Sequence, residues 1–411
     1  MLPAGNTRHE YRVTTQDPLG PAPRHPLPMK LMLLIPHVAD GGAEKLLSQL
    51  SCGLRADELV VTVFERRVDY ALGGRVISLD APIHRGVIHR LTGLARRFMR
   101  FRKVLREEQP DVVLSFMGEA NILNALLAPR PILTVHNHLS SLRRFSHSRM
   151  ESWLSELLIR RLYPRGTVVT VSSAVRQDMI EVFKVPADRV TVIPNAIDPD
   201  EVRRLADEPV ELPWKPGLPV ILTAGRLTAL KGQGHLIKAF ARARRQTPCQ
   251  LAILGAGELE SELRETARQA GVESDTFFLG RQSNPWKFMA RADVFVLPSL
   301  TEAFGLVLVE AMACGVPVIS TDCPGAGRDI LAPNLPPDAS IDRAFFGDYG
   351  VLVPVGNEDE LAAAILRFLN DKGVAKRYAE SGPDRSREFS YPGFLERYQR
   401  LIESAAQSHP L

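Results

Sequence analysis

The feature that most constrains this chain is an alternation. Short apolar, β-branched runs follow one another, separated by longer stretches of helical periodicity. Runs at 30–36, 59–64, 112–116, 132–135, 167–171 and 190–194 read as strands, with helical patterns at 44–54, 91–106, 121–127 and 173–183. These runs are apolar throughout rather than every second residue, as strands covered on both faces require, and this predicts parallel sheets built from βαβ units. A second series follows Pro209, Pro213, Pro216 and Pro219, with strands at 220–224, 250–254, 276–279, 294–297, 316–320 and 351–353. Its helical patterns occupy 234–245, 260–271, 284–290, 304–313 and 358–370. Two successive series predict an α/β protein of two doubly wound, Rossmann-like parallel-sheet domains that face each other across a cleft.

The expected boundaries are 29–205 for the first domain, 206–219 for a linker and 220–385 for the second domain. A C-terminal helix within 386–411 is expected to pack back on the first domain. Residues 1–28 hold six prolines and no apolar run, which predicts a disordered tail, with Met29 as an alternative start. With 411 residues, 45% hydrophobic and 24% charged, the chain has ample apolar surface to bury; global disorder, collagen and small disulfide scaffolds are excluded. Cys52, Cys249, Cys314 and Cys323 stand far apart without a C-x-x-C pair, so reduced thiols in a cytoplasmic protein are expected. No run of 18 apolar residues is present. The net charge of +4 hides an asymmetry, +8 up to Leu205 and −4 beyond it, so the first half is expected to meet something anionic.

The chemistry is densest from Leu297 to Pro317. A buried strand stops at Pro298, a polar turn follows, and an apolar helix begins near Phe304 and ends at Gly315. Backbone N–H groups near Phe304, Gly305 and Leu306 would face the crevice beyond the strand ends, and a helix start attracts an anion. Glu310 lies within an apolar helix, where a carboxylate is costly to bury unless a ligand or partner hydrogen-bonds to it. Sugar or ribose hydroxyls are natural partners; the plainer reading is a bond to a neighbouring backbone N–H. Upstream, Gly225-Arg226 and Lys231-Gly232 again follow a strand and precede a helix. A forked guanidinium and a point charge on one loop suit a diphosphate, whereas the plainer reading is two solvated cations.

Glu302-x7-Glu310 around Phe304-Gly305, Gly225-Arg226-x4-Lys231-Gly232, Gly255-Ala256-Gly257-Glu258, Ile193-Pro194-Asn195-x2-Asp198 and Gly41-Gly42-Ala43-Glu44 together resemble the retaining GT-B glycosyltransferases of family 4. The matches occur in the family's order from about residue 30 to about 400. The resemblance implies an acceptor-binding first lobe, a nucleotide-sugar-binding second lobe, and no essential metal or other cofactor. It implies further that Arg226 and Lys231 hold the donor diphosphate and that Glu302, with the amides of Phe304 and Gly305, holds the transferred sugar. Glu310 would take the ribose, His136 would contact the sugar or its phosphate, and Gly41, Gly42, Gly225, Leu306 and Arg281 would complete the donor site. The donor is expected to be a UDP-sugar, and no nucleic acid is expected as partner. A sugar-nucleotide epimerase of the same fold and a non-catalytic nucleotide-sugar-binding regulator are the rival readings.

Three lookalikes point elsewhere. Gly255-Ala256-Gly257 lacks the third glycine of a dinucleotide fingerprint, and no P-loop occurs. Asp198-Pro199-Asp200 imitates a metal-binding D-x-D but reads as a boundary turn. Between Arg85 and Arg106 eight basic residues are interleaved with an apolar stripe of Leu91, Leu94, Phe98, Phe101 and Leu105. One reading is a core-packed helix with solvated arginines; the other is a surface, carrying Arg96, Arg97, Arg100 and Lys103, that meets an anionic membrane. Family members with such a basic lobe extend lipid-linked glycans, lipopolysaccharide or exopolysaccharide. A polyprenyl-diphosphate-linked or other lipid-anchored glycan is therefore the expected acceptor, at the inner face of the cytoplasmic membrane.

Overall fold

The computed structural model describes residues 29–39, 41–82, 87–143, 149–336 and 339–407. The tail expected at 1–28 lies outside the described residues. The first series forms β1 (Lys30–Ile35), α1 (Gly42–Gly53), β2 (Glu58–Val63), β3 (Arg75–Ser78), α2 (Val87–Glu108), β4 (Val112–Phe116), α3 (Gly118–Leu127) and β5 (Pro131–Val135). It continues through α4 (Leu139–Arg143), α5 (Arg149–Leu162), β6 (Thr167–Thr170), α6 (Ser173–Glu181), β7 (Val190–Val192) and α7 (Pro199–Ala206). The seven strands form one sheet in the order β3-β2-β1-β4-β5-β6-β7.

The second series forms β8 (Val220–Ala224), α8 (Gln233–Arg244), β9 (Gln250–Leu254), α9 (Glu260–Gln269), β10 (Thr276–Gly280), α10 (Trp286–Met289), β11 (Val294–Leu297) and α11 (Leu306–Ala313). Then come β12 (Val318–Thr321), α12 (Gly327–Leu331), β13 (Phe345–Phe346), β14 (Val351–Val353), α13 (Glu358–Asn370), α14 (Lys372–Arg387) and α15 (Tyr391–Gln407). Its sheet runs β10-β9-β8-β11-β12-β14-β13. The pairings are parallel except for β13 on β14. The expected doubly wound α/β architecture is thus present twice.

In each sheet the first strand of the series lies beside the fourth, β1 beside β4 and β8 beside β11. At these two points the connections leave in opposite directions, which is where open parallel sheets place their ligand sites, beyond the carboxyl ends of the strands. Met117, between β4 and α3, holds φ at +74°, the left-handed region that a side chain rarely adopts, at one such strand end.

By their internal contacts the described residues up to Thr134, with those from Gln399 on, form one compact unit, and those of Val135–Tyr398 form the other. In the first, Met32, Leu34, Val60, Phe64, Phe101, Val104, Val113 and Leu123 make a core between sheet and helices. Gln399 on α15 accepts from the Arg55 N–H and donates back to its carbonyl. In the second, β8, β9 and β11 are shut under α8, α9 and α13 by Ile221, Leu236, Phe240, Leu251, Val294, Leu361 and Phe368.

Local chemistry explains several element ends. Ser172 caps α6 by accepting from Val175 N–H, and Asn357 caps α13 by accepting from Glu360 N–H. Asp198-Pro199-Asp200 is the start of α7: the Asp198 carboxylate accepts from the N–H groups of Asp200 and Glu201, and Pro199 occupies the first helical position.

Three expectations need correction. The apolar stripe of α2 does not include Leu94, which is exposed, while the side chain of Leu91 lies outside the described residues; the inward face carries Arg97, Phe101 and Val104. The helix after Pro298 starts at Leu306 rather than Phe304, because Gly305 adopts φ +82° and breaks the chain direction there. Strands β3 and β13 and helices α4, α5, α7, α12 and α14 are additions.

Candidate functional site

The loop that leaves β8 carries Gly225, Arg226 and Lys231, and the loop that leaves β11 carries Glu302 and Gly305. Adjacency of the two strands brings these loops together although they are distant in sequence. Lys231 Nζ lies 2.5 Å from Glu302 Oε2, with both side chains partly buried. Ser299 Oγ donates to the same carboxylate oxygen at 3.2 Å, and Leu300 N–H donates to the Leu230 carbonyl at 2.8 Å, which ties loop to loop. Gly232 is required by space as well as by its φ of +64°: a Cβ there would meet the Pro298 carbonyl oxygen at 2.1 Å.

Arg226 is exposed beside this junction of the two loops, and among the described residues no carboxylate pairs with its guanidinium. Its backbone is held from beneath, where Gln233 Nε2 donates to the Arg226 carbonyl at 3.2 Å. The Gly255–Gly257 turn after β9 presses directly on the same loop. A Cβ at Gly255 would sit 1.9 Å from the Gly225 oxygen and one at Gly257 would sit 2.3 Å from the Leu227 oxygen, while Leu227 N–H donates to the Ala256 carbonyl. These glycines thus support the Arg226 loop by close backbone contact, which accounts for their fingerprint-like spacing. Arg281 follows β10, one strand further out, where the Gly280 carbonyl accepts from Gly255 N–H.

At the start of α11 Gly305 supplies no side-chain cap, so the first amides, beginning with Leu306, are available to an anion. Phe304 is buried and packs edge-on against Phe389 at 5.6 Å between centroids. Its side chain therefore belongs to the core and only its backbone belongs to the site. Glu310 is partly buried one turn before Cys314, and burial together with the nearby Glu310 charge pushes the Cys314 thiol up to about 12. That thiol stays protonated and inert.

His136 follows β5 at the carboxyl edge of the first sheet. Its own surface is only partly covered, yet the surrounding protein desolvates the ring and lowers its pKa to about 4. At neutral pH it is an uncharged imidazole, suited to hydrogen-bonding a hydroxyl rather than to neutralising a phosphate. Gly41 and Gly42 open α1 in the other compact unit. A Cβ on Gly41 would sit 2.0 Å from Glu44 Oε2, so Gly41 makes room for the buried Glu44 carboxylate, whose other oxygen is 3.7 Å from His37 Nδ1. A Cβ on Gly42 would meet nothing within 4 Å, so packing does not explain that glycine.

The four side chains expected on α2 separate. Arg96 and Lys103 are exposed. Arg97 is buried: Nη1 donates to the carbonyls of Ala81 and Pro82, and Nε lies 2.6 Å from Glu119 Oε1 with its N–H off that line, so this contact is coulombic. Arg100 donates to the carbonyls of Leu79 and Asp80. Arg97 is therefore a core residue and not part of a membrane surface, and Arg100 is engaged in tying α2 to the loop after β3. Sequence reasoning also missed Ser299 and Gln233, polar residues beside the motifs that fix Glu302 and the Arg226 loop. Among the described residues no group of three or more His, Cys, Asp or Glu side chains is placed to hold a metal ion, and no helix is long and apolar enough to cross a membrane.

The family model described as Glycosyl transferases group 1 matches residues 206–385, and that described as Glycosyltransferase Family 4 matches residues 40–201. An uncharacterized glycosyltransferase of Methanocaldococcus jannaschii is 28% identical over 339 residues, 75% of this chain and 83% of the relative. The N-acetylgalactosamine-N,N'-diacetylbacillosaminyl-diphospho-undecaprenol 4-alpha-N-acetylgalactosaminyltransferase of Campylobacter jejuni is 25% identical over 370 residues, 88% of this chain and 95% of the relative. Among solved structures, Anabaena HepE in complex with UDP superposes with a TM-score of 0.70 at 20% identity, over 92% of this chain and all of the other.

Proposed function

Because the chain belongs to the glycosyltransferases, with a group 1 domain and a family 4 domain, we propose that it transfers a sugar from UDP to a lipid-linked glycan, with retention of configuration, in cell-surface polysaccharide assembly. One observation carries the donor half of this reading: Arg226 and Lys231 leave β8 at the strand reversal, opposite Glu302 on the loop that leaves β11. The acceptor half is supported by the Campylobacter relative, whose name describes transfer onto an undecaprenyl-diphosphate-linked sugar. The uridine choice is supported by the UDP held in the Anabaena enzyme.

In this reading the donor diphosphate takes Lys231 away from Glu302 and meets the Arg226 guanidinium, while the uncapped amides at Gly305 and Leu306 add a fixed positive field. As the anomeric C–O bond breaks, its electron pair goes to the departing diphosphate, where these groups stabilise the growing charge more than they stabilise the ground state. Glu302, released from Lys231, accepts hydrogen bonds from the sugar, and the Glu310 carboxylate is assigned to the ribose hydroxyls. The acceptor oxygen attacks on the face the diphosphate leaves, and its proton passes to a diphosphate oxygen. No side chain serves as nucleophile, and the reaction needs no metal.

Thermal stabilisation by UDP-, GDP- and ADP-sugars tests the donor, since stabilisation grows with ligand concentration over Kd. The expected result is a rise with UDP-sugars that Arg226→Ala abolishes. Transfer onto an undecaprenyl-diphosphate-linked sugar, with the product's anomeric configuration read by NMR, tests the rest. Conversion of the nucleotide sugar without acceptor would overturn the reading in favour of an epimerase, and binding without any conversion would favour a regulator.

A further inference from the structure

Helix α5 presents its apolar side outward. Met150, Trp153, Leu154 and Leu157 are 77%, 61%, 49% and 42% exposed. Their spacing at i, i+3, i+4 and i+7 puts all four on one stripe at 3.6 residues per turn. Ile159 and Leu162, on the opposite side, are buried. Isolated exposed apolar residues are ordinary, but four on one helical face with a tryptophan at their centre make a continuous patch that water does not favour.

The charge around the patch identifies what covers it. Residues 143–165 contain six arginines and two glutamates. Among the described side chains Glu156 is neutralised by Arg143 and Arg160, so Arg161, exposed on the patch side one turn beyond Leu157, and the exposed Arg165 supply the outward charge. An apolar face with a tryptophan and arginines at its end matches the layered chemistry of a bilayer surface, where rings and alkyl chains reach the acyl boundary and guanidinium groups stay with anionic headgroups. A second copy or another protein fits less well, because four side chains supply well under the roughly 800 Å² per partner that a stable protein interface buries.

We infer that α5 docks the protein on an anionic membrane surface through Met150, Trp153, Leu154 and Leu157, with Arg161 and Arg165 setting the preference for anionic lipid. The purpose of this docking rests on the lipid-linked-acceptor reading, since it brings the enzyme to the bilayer that holds such an acceptor. It replaces α2 as the membrane-facing element.

The test uses the full chain in flotation with vesicles of phosphatidylcholine alone or with about a third phosphatidylglycerol, at near-physiological salt. The wild type is expected to float with the anionic vesicles. Trp153→Ser/Leu157→Ser is expected to reduce partitioning at least about tenfold, and Arg161→Gln/Arg165→Gln to remove most of the anionic preference, at about fivefold per charge. Quenching by brominated lipid is expected for the wild type and not for Trp153→Phe, a readout that needs no polar substitution. Failure of the wild type to float, equal flotation of Trp153→Ser/Leu157→Ser, or a concentration-dependent dimer lost in that variant would overturn the inference. UDP-induced stabilisation and transfer to a water-soluble acceptor, measured on the same preparations, separate the two readings. If these persist without flotation the docking face alone is wrong, and flotation without them leaves the face standing while the catalytic reading fails.

Discussion

Lys231 and Glu302 meet as an ion pair at 2.5 Å, each delivered by the loop beyond a different strand, β8 and β11. In the proposed reading this ammonium, satisfied by a carboxylate in the free protein, is offered more charge by the diphosphate, which frees the carboxylate for the sugar. Lys231→Ala is therefore expected to weaken UDP binding and to lower kcat by about 10²- to 10³-fold, as for other removed donors that face developing charge. Glu302→Gln is expected to leave UDP affinity unchanged or tighter while kcat falls. Calorimetric UDP titrations beside steady-state rates distinguish these outcomes; equal loss of UDP affinity in both variants would reduce Glu302 to an anchor for Lys231.

Close backbone packing makes a second prediction. Gly255 holds φ +129°, and a Cβ there would lie 1.9 Å from the Gly225 oxygen, so Gly255→Ala adds both conformational strain and a clash with the loop that bears Arg226. A loss of about 2–5 kcal/mol is expected in urea unfolding. Gly42→Ala, with nothing within 4 Å of the new methyl and an ordinary helical position, is expected to be neutral or slightly stabilising. A fall in transfer rate for Gly42→Ala at unchanged stability would support close substrate approach to that backbone, and an unchanged rate would count against it.

How much of this was legible depends on what each residue faces. β1, β4, β8 and β11 show plainly in the sequence because a strand covered on both sides must be apolar throughout. β3 escaped because it is a short, half-exposed edge, and α5 because its apolar residues lie on both sides, Ile159 and Leu162 inward and four others outward, so periodicity alone gives no single inward face. The Lys231–Glu302 pair, 71 residues apart, was visible only as two separate motifs; their meeting depends on strand order, which local sequence does not encode. Arg97 was assigned to a surface by its charge, although its spacing to Phe101 and Val104 places it on the core face of α2.

The charge state of His136 predicts a pH effect. Its folded pKa of about 4 lies below the ordinary 6.5, so between those values the unfolded chain binds more protons than the folded one. Stability from this group is complete above about pH 6.5 and is lost as pH falls toward 4. Allowing for the ring's partial contact with solvent, roughly 2 kcal/mol is at stake. His136→Asn is expected to flatten the unfolding free energy between pH 7 and 5 relative to wild type. An imidazole titrating near 6.5 by NMR would refute the depressed pKa.

The two neighbouring arginines Arg96 and Arg97 are expected to behave in opposite ways. Arg97 fills a buried position between the Ala81 and Pro82 carbonyls and the Glu119 carboxylate, with its guanidinium 5.6 Å from the centre of the Phe64 ring. Removing it leaves two carbonyls and a carboxylate facing an empty space, so Arg97→Ala is expected to cost about 3–5 kcal/mol. Arg97→Met, which keeps the stem and the ring contact, should recover part of that loss but not the carbonyl bonds. Arg96→Ala, on the exposed side of the same helix turn, is expected to stay within about 0.5 kcal/mol of wild type. Chemical denaturation of the three variants decides the matter: equal stability for Arg96→Ala and Arg97→Ala would mean that the buried arginine contributes no more than a solvated one and that its carbonyl and carboxylate contacts add no net stability.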